Sequence, residues 1–77
     1  MDKKDEFILL IENTYSTYLI LTSHFKKTPD KYVIYTDIEL LEDIQTILNK
    51  RYEKDFNFSN KDFLDIAKDL RKDDIEW

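Results

Sequence analysis

The chain has 77 residues, a net charge of −5, one histidine, and neither cysteine nor glycine. That length fits a single compact acidic domain, 1–77, whose core yields only about 3–5 kcal/mol of net stability. Its composition excludes disulfides and thiolate metal sites, leaves His24 short of the several ligands a zinc or iron centre takes, and disfavours direct binding to nucleic acid or anionic membrane.

The missing glycine removes further classes. Phosphate-cradling loops, dinucleotide-binding turns and nucleophile elbows all need it, so the chain is expected to be no enzyme and to hold no cofactor. Tight hairpins lose their usual turn residue as well. Asn13, Asn57 and Asn60 are left as the best candidates for a left-handed backbone position. With 42% apolar and 38% charged residues, the chain has enough apolar mass to order and a well-solvated surface. Lys and Ile are abundant and Ala and Val scarce, a bias associated with AT-rich genomes, including those of low-GC bacteria and their phages.

Residues 7–11, Phe-Ile-Leu-Leu-Ile, form an apolar run that Glu12 and Asn13 end. It is far shorter than the ~20 residues that span a bilayer. No small-residue cleavage site follows it, and a cytoplasmic protein is expected.

Over residues 4–25, Phe7, Ile11, Tyr15, Tyr18, Leu21 or Thr22, and Phe25 recur at helical spacing, which predicts a helix. Leu9 and Ile20 break its polar side, so it is apolar on more than one face. The run 13–18, Asn-Thr-Tyr-Ser-Thr-Tyr, is poor in helix formers and leaves a strand–turn–strand as the alternative. Pro29 marks the clearest break in the chain. Tyr32–Thr36 reads either as a short strand or as a helical turn with Thr28 as N-cap and Pro29 in the first position. Thr36 and Glu39 have capping-box spacing. Leu40, Leu41, Ile44, Ile47, Leu48 and Tyr52 then share one face, predicting a helix from about 37 to 53. Ser59 is a natural N-cap, and Phe63, Ile66, Ala67 and Leu70 form the stripe of a last helix over about 60–72. Phe56 and Phe58 are expected to tuck into the core. The fold class is therefore mainly α, a small three-helix bundle, with an α+β domain of two or three strands before two helices as the rival.

The sharpest candidate site is an acidic stripe on the last helix. Asp62, Asp65, Asp69, Asp73 and Glu76 fall within a sector of about 80° and rise by roughly 4.5–6 Å from one to the next. Glu39, Glu42 and Asp43 add an acidic face to the preceding helix. A carboxylate row of this kind can occupy a basic groove built for DNA or RNA, although Lys61, Lys68, Arg71 and Lys72 flank it and a plain solvated face has the same pattern. Ile75 and Trp77 form a candidate apolar anchor. The tyrosines read as core residues with their hydroxyls at its edge, or as interface residues. His24, beside a lysine pair, reads as a surface residue.

These features favour a small non-enzymatic inhibitor that binds a protein partner through its acidic surface. The profile resembles in type the DNA-mimicking antirestriction, anti-CRISPR and glycosylase-inhibitor proteins, without matching a motif of any of them. It implies a phage or mobile-element product that blocks a nucleic-acid-handling or defence enzyme in the host cytoplasm. The alternative is a structural or regulatory interaction module that forms a homo-oligomer, or docks on a partner, through its apolar N-terminal segment.

Overall fold

The structure, a computed structural model, describes residues 2–29 and 32–72. They form four helices: α1 (Lys3–Asn13), α2 (Tyr15–Lys27), α3 (Tyr35–Tyr52) and α4 (Asn60–Lys72), with no strand among the described residues. The mainly α reading holds, and the strand–turn–strand alternative does not. The helix count is four instead of three, because the first predicted helix is two.

The break falls at Thr14, whose backbone is extended (φ −110°, ψ 104°). It lies in the run of weak helix formers, where interrupting the ladder costs least. The Thr17 hydroxyl donates to the Ile11 and Thr14 carbonyls at 3.1 and 2.9 Å, so the carbonyls at the break keep partners. The Thr14 hydroxyl, 2.7 Å from that of Tyr52, ties the break to the end of α3. The chain therefore turns on an ordinary extended residue, with no need of a glycine.

Thr28 closes α2 rather than opening a helix: its backbone N–H and its hydroxyl both donate to the His24 carbonyl. Tyr32–Ile34 is neither strand nor helix. The α3 N-terminus also differs from the Thr36–Glu39 expectation. Ile34 is the N-cap, and the Asp37 carboxylate accepts from its N–H at 3.3 Å. Thr36 and Glu39 are exposed, each two residues beyond its counterpart in the observed cap. At the other end of α3, Glu53 takes the left-handed conformation (φ 54°, ψ 46°), not one of the three asparagines. The N–H groups of Glu53 and Lys54 both reach the Asn49 carbonyl there, the pattern of a left-handed helix end.

Residues 53–59 are pegged from α3. The Asn49 side-chain amide bonds both backbone groups of Phe56 at 2.9 Å, and Gln45 accepts from the Phe58 N–H. This turns Phe56 inward as expected and sets Phe58 at the core's edge. Ser59 caps α4 as expected: its hydroxyl accepts from the Asp62 N–H, and the Asp62 carboxylate accepts from the Ser59 N–H.

The core is built from Phe7 and Ile11 of α1, Leu21 and Phe25 of α2, Leu41, Ile44 and Leu48 of α3, and Phe63, Ile66, Ala67 and Leu70 of α4, with Phe56 from the connection. α1 packs against the other three helices, and α3 against α4. Phe7 makes edge-on contacts with Phe56 and Phe58, centroids 5.3 and 5.1 Å apart, and Phe58 meets Phe63. Tyr18 is half-buried, and the other four tyrosines lie outside the core. Tyr15, Tyr32 and Tyr35 are about three-quarters exposed, and Tyr52 is also open to solvent.

Candidate interaction surface

Three arrangements of side chains stand out, and the first is internal. Asp37, one residue of the first turn of α3, is 1% exposed. Arg71, near the end of α4, grips it with two bonds: Nε to Oδ2 at 2.6 Å and Nη2 to Oδ1 at 2.8 Å. His24 of α2 donates from Nε2 to the same Oδ1, 2.5 Å away. The Arg71 guanidinium also donates to the Thr28 carbonyl and hydroxyl and lies 4.5 Å over the Phe25 ring. One carboxylate thus joins the ends of α2, α3 and α4. His24, expected at the surface, has a side chain only 17% exposed. Arg71, expected to flank the acidic stripe, points the other way into the protein.

Burial alone would raise the pKa of the Asp37 carboxyl. The Arg71 guanidinium, the His24 ring and the Ile34 N–H outweigh it and hold the carboxyl below its ordinary value of 3.8. A depressed folded-state pKa contributes stability that is complete above the unfolded value and lost as pH falls through the folded one. Acid unfolding followed by circular dichroism should therefore begin below about pH 4. Asp37→Asn should flatten that acid limb; an unchanged limb would rule Asp37 out as its source. A His–Asp pair is also a component of acid–base sites, but here both carboxylate oxygens are already bonded to arginine. The arrangement serves to hold three helix ends together.

The second arrangement is the acidic surface. Asp62 and Asp65, two members of the predicted stripe, are half-buried partners of Lys4 on α1, with N–O distances of 3.4 and 3.2 Å. The Asp65 bond is the main reason the Lys4 pKa is raised; the Ser59 N–H is the main reason the Asp62 pKa is lowered. These carboxylates pin α1 to α4 as well as facing solvent. Asp69 is exposed. Asp73 and Glu76, and the candidate anchor Ile75 and Trp77, lie outside the described residues. Glu39, Glu42 and Asp43 are all exposed on α3, within about 100° of one another around the helix. None of the three makes an ion pair among the described residues. Also among these residues, no group of three or more His, Asp or Glu side chains could hold a metal ion.

The third arrangement is the outward face of α2. Tyr15, Ser16, Leu19, Ile20, Ser23, Lys26 and Lys27 are all exposed and fill one sector of about 140°. Tyr15 is 75%, Leu19 50% and Ile20 40% exposed. From Tyr15 to Ser23 the face carries no charge, and α2 is the one helix without a carboxylate. Leu9 and Ile20 carry excess apolar surface, as expected of residues 7–25. The face itself is not visible in the spacing, which puts Tyr15 on the core stripe of one continuous helix. The break at Thr14 rotates α2 so that Tyr15 and Leu19 look outward.

No family model, characterised protein or solved structure matches this chain. No described helix is long and apolar enough to cross a membrane.

Proposed function

We propose that the chain is a non-enzymatic protein-binding module that docks through the outward face of α2. The observation that carries this reading is the exposure of Tyr15, Leu19 and Ile20 on one uncharged stretch of helix, in a chain that is 38% charged. Tyrosine beside aliphatic side chains buries much area at low entropy cost, which suits a docking face. A photo-crosslinking residue at Leu19 tests it. Discrete adducts in the cell are the expected result. No adduct, or the same smear that a probe at an unrelated exposed position gives, would overturn the reading.

A second reading is favoured by the exposed carboxylates of α3 that make no ion pair among the described residues. In it Glu39, Glu42 and Asp43, with Asp69, face a basic groove on a nucleic-acid-handling or defence enzyme. Its fullest form is a phage or mobile-element inhibitor acting in the host cytoplasm. A probe at Thr46, exposed on the same side of α3, separates the two. Adducts formed there, displaced by DNA and lost on reversing Glu39, Glu42 and Asp43 to lysine, would favour this second reading. Reversal at Asp62 and Asp65 is the poorer test, since it also breaks their bonds to Lys4.

A further inference from the structure

We infer that the partner seated on the α2 face is a second copy of this chain, paired antiparallel about a two-fold axis. The inference rests on the docking reading above and names the occupant of the same face.

Charge selects the occupant. Copies of a chain with net charge −5 repel one another. Every other helix faces solvent with carboxylates: Asp5 and Glu12 on α1, Glu39, Glu42 and Asp43 on α3, and Asp69 on α4. The α2 face is the helix surface across which two copies meet without opposing carboxylates.

Charge also selects the direction. Along the roughly 18 Å of α2, Tyr15 and Ser16 lie at one end, Leu19, Ile20 and Ser23 in the middle, and Lys26 and Lys27 at the other end. A parallel pair would set the lysines of the two copies side by side. An antiparallel pair sets them against the tyrosine end, where an ammonium can lie over the Tyr15 ring. Such a face is self-complementary under a two-fold axis, as a closed dimer requires.

The area sets the strength. One helix face buries less than the ~800 Å² per partner of a standard stable interface, so the dimer is weak, with a Kd on the order of 10⁻⁴ M.

Sedimentation velocity across concentrations from about 10 μM to 1 mM reads the result. Wild type is expected to pass reversibly from monomer to dimer. Leu19→Glu should raise the Kd at least about tenfold without changing the circular dichroism spectrum or melting temperature. Tyr15→Ala, which removes the ring the ammonium lies over, and Lys27→Glu should each weaken association. A monomer at every concentration, or a dimer indifferent to Leu19→Glu, overturns the inference. A dimer indifferent to both Tyr15→Ala and Lys27→Glu overturns the antiparallel arrangement. The crosslink at Leu19 tells this failure from that of the docking reading. A monomer that still forms adducts with a different protein loses only the second-copy assignment, and a monomer that forms none loses both.

Discussion

Replacing Arg71 by leucine is expected to cost about 3–5 kcal/mol of folding stability, the loss seen when one partner of a buried ion pair is removed. The change strands Asp37, whose side chain is 1% exposed, with His24 as its one remaining side-chain partner. It also removes the bonds from the guanidinium to Thr28 and its contact with the Phe25 ring. A core of this size yields only about 3–5 kcal/mol of net stability, so the variant should be largely unfolded or melt far below wild type. Urea titration followed by circular dichroism gives the number. A double variant, Asp37→Leu with Arg71→Leu, should lose less than the two single losses added together, because neither charge is then left alone. A loss below about 1 kcal/mol for Arg71→Leu, typical of an exposed pair, would show that the cluster is not the clamp described.

The second large effect is expected at Phe7. Its ring is wholly buried and is the one through which α1 meets both Phe56 and Phe58. Phe7→Ala should cost about 3–5 kcal/mol, the sum of lost burial and the cavity left behind. Phe58→Ala should cost less, since that ring is only partly buried. The ranking matters more than either value. If Phe58→Ala proved the costlier change, the centre of the aromatic cluster would lie in the connection between α3 and α4, not on α1.

Both effects arise where distant parts of the chain meet, and such meetings are what a sequence displays least. Ser59 as a cap, the α4 span of Asn60–Lys72 and the inward turn of Phe56 were all legible, since each depends on a few neighbouring residues. The α3 apolar face was legible for the same reason: Leu41, Ile44 and Leu48 recur with the helical period and are buried. Ile47 lies well off that stripe, and Tyr52, which is on it, is the last residue of α3; both remain exposed. Weak helix formers around Thr14 hinted at a break. Whether such a run stays helical depends on partners that satisfy the freed groups, here Thr17 and the distant Tyr52 hydroxyl.

Local chemistry, read residue by residue, was enough for a helical, acidic chain with no glycine-dependent loop, because propensity, capping and charge act over a few positions. Tertiary contact decided the rest. It moved the start of α3 from the Thr36–Glu39 spacing to Ile34 and Asp37, since a carboxylate held by Arg71, thirty-four residues away, is already in place to cap that turn. It drew His24 inward to the same carboxylate, and it gave Asp62 and Asp65 a lysine from α1. It also turned Tyr15 and Leu19 toward solvent. An ion pair or an exposed face between elements depends on how helices are set against one another, and spacing along one helix carries no record of that.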